Sequence, residues 1–244
     1  MKALIGIFLL LGAFLGAFPG VTAASGKSLE SADIDVFDQA SLRRGAALFA
    51  DYCMGCHSLR QIRFSRIAKD AGMSADELQK TLMYGDKKPQ DYVTTAYNKA
   101  DAEAMFGVAP PDLSLVVRSR GADWVFTYLK GFYVDPKRPW GVNNLLVQNV
   151  AMPNPLWYLQ GVQEPEKQAI GDQEEIVSLR LIESGSLSPE QFNAKLNDLV
   201  SFLAYVSEPA QQERLPLGKY VLLFLIVMTV ILYKLKKEYW KDVH

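Results

Sequence analysis

The sequence contains very few cysteines and histidines, with only two of each among its 244 residues. Three of these four side chains lie together, as Cys53, Cys56 and His57. Two cysteines this close can close only a very small loop, which excludes a disulfide-stapled scaffold. The sequence also lacks an excess of positive charge, with 26 Lys+Arg against 27 Asp+Glu. Nucleic-acid binding is therefore not expected to be the main function.

The N-terminus reads Met1-Lys2, followed by an apolar run over residues 3–18 and then by small residues. A positive start, a short apolar centre and small residues at the end are typical of a secretory signal peptide. The sequence therefore predicts a cleavable signal peptide over residues 1–24 and an exported protein.

A second apolar run covers residues 215–233 and is long enough, as a helix, to cross the hydrocarbon core of a bilayer. The segment after it, residues 234–244, contains four lysines and two acidic residues, and an excess of lysine marks the cytoplasmic side. The sequence thus predicts an exported body over residues 25–214, a transmembrane anchor over residues 215–233 and a cytoplasmic tail over residues 234–244.

The body is predicted to be mainly helical. Asp38 is placed to cap a helix over Gln39–Tyr52, and Gly121–Lys130 has the pattern of another short helix. Ser74 and Ser188 each begin a capping box, the second with proline at the first helical position. The stretches 85–120 and 131–173 show no sustained period and are expected to form long ordered loops, which usually wrap a ligand or dock a partner.

Cys53-Met54-Gly55-Cys56-His57 is the attachment signature of c-type haem. At the end of a helix, cysteines three apart project to one side, where their thiols can add to the two haem vinyl groups. The histidine that follows is then positioned as an axial ligand of the iron. A thioredoxin-like thiol pair would require alternating strands and helices, for which the sequence shows little periodicity. A zinc site would need four ligands, and His244 is the only further His or Cys.

A second axial ligand must come from a methionine if the iron is six-coordinate, because His244 is predicted to lie across the membrane. The candidates are Met73, Met83, Met105 and Met152. The loop around Met152 is stiffened by Pro153 and Pro155, so it can hold a thioether sulfur with little ordering cost. Met152 is the preferred candidate. Ligation by His and Met raises the reduction potential of a haem and leaves no vacant position for a substrate.

The chain resembles the cytochrome c1 family, the haem-c subunits of cytochrome bc1 complexes. The resemblance rests on an ordered set of motifs: Cys53–Leu59, Ala109–Ser114, Arg118–Arg120, Gly131–Tyr133, Ala151–Pro153 and the lysine-rich end of the C-terminal helix. It implies an all-α, class I cytochrome c-like haem domain with long wrapping loops and one C-terminal transmembrane helix.

The resemblance also implies a role for individual residues around one covalently attached haem c. Cys53 and Cys56 would form the thioether links, and His57 and Met152 would be the axial ligands of the iron. The family likeness further places Pro110 and Pro111 beside the haem, Arg120 on a propionate, and Tyr133 near the propionate edge. Met105 stays a second candidate ligand, because Met105-Phe106-Gly107 departs from the small polar residues that the family often has there.

By the same likeness, the protein transfers single electrons from a Rieske iron–sulfur protein to a soluble cytochrome c or equivalent acceptor. It would work beside cytochrome b in a dimeric complex of the bacterial inner membrane, with its haem domain in the periplasm. It would not be an enzyme on its own. The alternatives are a tail-anchored cytochrome c of another reductase and an exported thiol–disulfide oxidoreductase.

Residues 160–213 carry 10 acidic and 3 basic side chains, a net charge of −7. This stretch is either a solvated face or a docking surface for a basic soluble protein. A negative field on this surface would raise the rate at which such a protein encounters it.

Overall fold

The computed structural model describes residues 28–95, 97–170 and 173–242, and these form nine helices and six strands. The helices are α1 (Gln39–Tyr52), α2 (Phe64–Ala71), α3 (Ala75–Thr81), α4 (Lys99–Phe106), α5 (Val116–Arg120), α6 (Ala122–Lys130), α7 (Trp157–Gln160), α8 (Pro189–Ser207) and α9 (Gln211–Tyr239). The strands are β1 (Leu59–Arg63), β2 (Tyr92–Val93), β3 (Phe132–Val134), β4 (Val142–Asn144), β5 (Gly161–Ile170) and β6 (Gln173–Ser184). The predicted signal peptide lies outside the described residues.

Helices α1 and α8 pack against each other and form the centre of the core. Gly45 allows a close approach, because a Cβ atom at this position would lie 2.1 Å from the backbone oxygen of Asp198. The rings of Phe49 and Phe202 meet nearby with centroids 5.8 Å apart, and both side chains are fully buried. The pairing brings the end of α1, where the cysteine–histidine motif begins, against the middle of α8.

A buried carboxylate fixes the register of this helix pair. Arg44 of α1 donates two hydrogen bonds to Asp198 of α8, from Nε at 2.7 Å and from Nη2 at 2.8 Å. Ser41 donates a third at 2.7 Å. Three donors satisfy the lone pairs that burial would otherwise leave without partners, so the carboxylate is compatible with its place in the core.

The helix boundaries follow the predicted capping residues. Asp38 accepts a hydrogen bond from the amide of Ala40 at the start of α1, and α1 has the predicted bounds. Ser188 and Gln191 form the reciprocal bonds of a capping box at the start of α8. Ser74 accepts a bond from the amide of Glu77 at the start of α3, which ends at Thr81. Helix α6 begins one residue after the predicted Gly121, which has φ +91° and separates it from α5.

The expected all-α class needs correction, because the described residues also form three two-stranded antiparallel sheets. β1 pairs with β2, β3 pairs with β4, and β5 and β6 form a long hairpin. The two stretches predicted to be loops therefore contain short helices and strands. Over residues 162–169 and 174–184 of this hairpin every side chain is exposed or half-buried, so neither strand has the buried apolar face that a sustained alternation would indicate.

Helix α9 is the one helix of the described residues that is long and apolar enough to cross a membrane. Its most apolar 18-residue window has a mean hydropathy of 2.3, and no residue of α9 is buried against the body. The helix begins before the predicted anchor and continues through Pro216 to Tyr239. These properties agree with a single anchor near the C-terminus.

Candidate functional site

The cysteine–histidine motif forms a tight turn at the end of α1. Cys53 caps the helix with its amide bonded to the carbonyl oxygen of Phe49. The amides of Cys56 and His57 then both donate to the carbonyl oxygen of Cys53, at 3.0 and 2.8 Å. Thr95 donates from its hydroxyl to the carbonyl of Gly55 at 2.7 Å and braces the turn from outside. The turn brings both cysteines and the histidine to the wall of one cavity.

His57 is buried and its ring is oriented by a backbone carbonyl. Nδ1 lies 2.7 Å from the carbonyl oxygen of Pro111, which can only accept, so Nδ1 carries the hydrogen and Nε2 is left with its lone pair. Burial lowers the pKa of the His57 imidazole, and the Pro111 carbonyl opposes this in part. A neutral imidazole with one nitrogen held by a carbonyl is the usual arrangement of a metal-ligating histidine.

The segment that supplies this carbonyl is itself tied to the residues after the motif. The amide of Leu113 donates to the carbonyl of Ser58 at 2.9 Å. The Asp112 carboxylate accepts from the amide of Arg60 at 2.8 Å and from the amide of Ser114 at 2.9 Å. Pro110 and Pro111 thus occupy a fixed place on the cavity wall with His57, and their position beside a haem stays a prediction.

The cavity has a volume of about 510 Å³, within the range of roughly 300–1,000 Å³ typical of cofactor sites. Its walls are the end of α1, the segment around Pro110 and Pro111, helices α5 and α6, the loop over residues 147–155, and two leucines of α8. Most of the lining side chains are apolar, with Arg120, Asp112 and Ser119 among the few polar ones. Such a lining suits a large flat apolar group that carries charge on one edge.

Met152 lines this cavity, whereas the other three candidate methionines do not. Met73 and Met83 are buried in the hydrophobic core, and Met105 is 54% exposed on α4. Phe106, the neighbour of Met105, is the residue of α4 that reaches the cavity.

The loop that carries Met152 is anchored at Asn149, which has a positive φ of 59°. Arg138 donates to the backbone oxygen of Asn149 at 2.9 Å and to its side-chain oxygen at 3.2 Å. The amide of Asn149 donates to the side chain of Asn143, also at 2.9 Å. Pro153 and Pro155 follow Met152 and line the cavity with it. A loop restrained on both sides can hold a thioether in place.

Helix α6 contributes an aromatic wall that sequence reasoning missed. Trp124 stacks on Tyr128 with ring centroids 5.0 Å apart and planes 7° from parallel. The guanidinium of Arg120 lies 5.2 Å from the centre of the Trp124 ring. Trp124 and Tyr128 are four apart and share one face of α6, and Arg120, the last residue of α5, lies next to Trp124 across the break at Gly121.

The remaining predicted residues differ in their relation to the cavity. Arg120 is exposed at the cavity and makes no ion pair with any described residue. Tyr133 is buried in β3 opposite Asn143 and is not among the lining residues. Its place near a propionate stays a prediction.

The cysteines are not bonded to each other in this structure. Burial raises the pKa of the Cys53 thiol to about 12, with a smaller contribution from Cys56. Reactive cysteines of thiol–disulfide enzymes have a lowered pKa, because the thiolate is the nucleophile. The environment of Cys53 therefore disfavours thiol–disulfide exchange.

A cysteine–histidine turn on the wall of an apolar cavity, in a body followed by a helix long and apolar enough to span a membrane, is the arrangement expected of a membrane-anchored c-type cytochrome. The model of the cytochrome C1 family matches residues 30–243, so the chain belongs to the cytochrome c1 family.

Individual relatives agree with this membership over nearly the whole chain. The chain is 50% identical to cytochrome c1 of Allochromatium vinosum, covering 97% of this chain and 99% of that protein. It is 29% identical to cytochrome c1 of Rhodospirillum rubrum, covering 85% of this chain and 83% of that protein. A protein of Nitrosomonas europaea named ammonia monooxygenase gamma subunit is 41% identical, with coverage of 97% and 98%.

Proposed function

We propose that this protein is the electron-transfer subunit of a respiratory cytochrome bc1 complex and carries one covalently bound haem c. The observation that carries the proposal is the joint position of Cys53, Cys56, His57 and Met152 on the wall of a single apolar cavity. Family membership supports the same reading, because cytochrome c1 is the name of its relatives in several bacteria and fungi.

The residues present fit a haem c. Two unpaired thiols lie in one turn, and the imidazole beside them presents Nε2 while Nδ1 is held by a carbonyl. Met152 is the candidate thioether ligand on the same cavity. Arg120, which makes no ion pair with the described residues, would supply the positive charge that a propionate requires. When bound, a haem supplies a one-electron couple between ferric and ferrous iron.

The protein's contribution is to hold the two axial ligands, to exclude water and to set the potential. The Pro111 carbonyl fixes the orientation of His57, and the Asn149 anchor restrains the loop of Met152. A thioether ligand favours the ferrous state and raises the potential. A haem held by both His57 and Met152 would exchange electrons and would leave no position on the iron for a substrate, so the subunit would be redox-active without being catalytic on its own.

The direction of electron flow and the partners follow from the family. Electrons enter from a Rieske iron–sulfur protein, cytochrome b oxidises the quinol in the same complex, and a soluble cytochrome c is the acceptor. Helix α9 anchors the protein in the bacterial inner membrane, with the haem domain in the periplasm and the C-terminus in the cytoplasm. Membrane lipid surrounds α9, and the complex is dimeric.

A second candidate is a subunit of a different membrane oxidoreductase, which is favoured by the name of the relative from Nitrosomonas europaea, ammonia monooxygenase gamma subunit. The two candidates predict different partners for the same haem protein. Purification of the tagged full chain in mild detergent distinguishes them. We expect a haem that resists acid-acetone extraction, together with cytochrome b and a Rieske protein in equal amounts. Recovery with the subunits of a monooxygenase instead would contradict the proposal.

A further inference from the structure

The hydroxyl of Tyr128 contacts the sulfur of Met152 inside the cavity. Tyr128 Oη lies 3.4 Å from Met152 Sδ and is the donor of this hydrogen bond. It makes no other hydrogen bond with the described residues. Both side chains are half-buried and both line the cavity.

The ring of Tyr128 is held so that its hydroxyl stays directed at the sulfur. Trp124 stacks on one face of the ring, and Phe132 meets it edge-on with centroids 5.4 Å apart. The backbone of Tyr128 is fixed as well, because its carbonyl accepts from the side chain of the fully buried Asn144 at 2.8 Å. Contact with two neighbouring aromatic rings restrains the Tyr128 ring and with it the direction of the hydroxyl.

A thioether sulfur has two lone pairs, one of which can accept a hydrogen bond while the other binds a metal. The bond orients the sulfur and withdraws electron density from it. A sulfur that donates less density stabilises ferric iron less, which favours the ferrous state. We propose that Tyr128 is a positioning residue for Met152, which orients the thioether toward the iron and raises the potential of the site. This inference rests on the proposed function, in which Met152 is the axial ligand.

The test uses the purified full chain with haem and compares Tyr128→Phe with the parent protein. The substitution removes only the hydroxyl and keeps the stacked ring. We expect a lower reduction potential in a redox titration. We also expect imidazole to displace the sulfur at a lower concentration than in the parent protein. The displacement is measured as loss of the ferric sulfur–iron absorption. The concentration required should fall by roughly twofold to tenfold, the range that one lost hydrogen bond allows. Tyr158→Phe removes the same atom from an exposed ring and should leave both measurements unchanged.

A double-mutant cycle separates an effect through the sulfur from a general effect on the cavity. In the Met152→Leu background, adding Tyr128→Phe should no longer change the potential. An equal fall of the potential in both backgrounds would overturn the proposal, and so would an unchanged potential and imidazole titration for Tyr128→Phe alone. If Met152→Leu itself leaves the sulfur–iron absorption intact, the assignment of Met152 as the axial ligand is wrong, and the proposed role of Tyr128 is then wrong as well.

Discussion

Replacing Met152 with leucine separates the contribution of its sulfur from that of its volume. Met152→Leu keeps an apolar side chain of similar size, so the packing cost should stay under about 1.5 kcal/mol. Tyr128 loses its hydrogen-bond acceptor, which adds about 1 kcal/mol because the hydroxyl is only half-buried. The protein should therefore remain folded, with a free energy of unfolding reduced by about 1–2.5 kcal/mol.

The effect on the iron should be much larger than the effect on stability. Loss of the thioether removes the preference for ferrous iron, and every tenfold loss in that preference lowers the potential by about 59 mV. We expect a fall of at least this size in a redox titration, the disappearance of the ferric sulfur–iron absorption, and binding of carbon monoxide to the ferrous protein. Electron acceptance from the Rieske protein should slow because the driving force is reduced.

The other methionines provide matched controls. Met73→Leu and Met83→Leu alter the core, and Met105→Leu alters an exposed site on α4, but none of these side chains lines the cavity. All three variants should keep the spectrum and the potential of the parent. The reasoning is refuted if Met105→Leu abolishes the sulfur–iron absorption while Met152→Leu preserves it.

Three further substitutions or deletions test the structural account. The double substitution Cys53→Ala, Cys56→Ala should lower the amount of full-length protein in membranes, because the haem would fill the cavity of the core. An immunoblot measures this amount, and normal accumulation of the haem-free protein would contradict the prediction. Removal of residues 215–244 should leave a soluble domain that keeps its haem but no longer assembles with cytochrome b, since no residue of α9 is buried against the body. A truncated protein that stays in carbonate-washed membranes would refute this prediction. Gly45→Ala should lower the free energy of unfolding by about 1–3 kcal/mol, because the alanine Cβ would overlap the backbone of Asp198. Denaturant unfolding measures this change, and an unchanged unfolding midpoint would show that α1 and α8 can move apart without loss of stability.

Local signals predicted the parts of the fold that depend on residues close in sequence. The caps at Asp38 and Ser188 mark the starts of α1 and α8 because a side-chain oxygen there meets an amide two or three residues on. The apolar run before the lysine-rich end predicted α9. The cysteine–histidine motif was recognisable because its chemistry depends on a fixed spacing of five residues.

The parts that were missed depend on contacts between distant segments or on exposed strands. Over residues 162–169 and 174–184 the hairpin of β5 and β6 has no buried side chain, and apolar–polar alternation in its sequence is confined to the five residues Val177–Leu181. The carbonyl that orients His57 belongs to Pro111, 54 residues further on, and no local pattern indicates such a pairing. The four-residue spacing of Arg120, Trp124 and Tyr128 was visible in the sequence, but which face it presents to the cavity depends on the packing of α6.

Reduction of the haem by quinol tests the central claim most directly. Membranes containing the tagged full chain would be solubilised in mild detergent, and the purified complex would be mixed with ubiquinol while the haem c absorption is followed in a stopped-flow instrument. We predict rapid reduction of the haem, followed by its reoxidation when ferric soluble cytochrome c is added. A haem that dithionite reduces but ubiquinol leaves ferric, in a complex whose cytochrome b is active, would contradict the account.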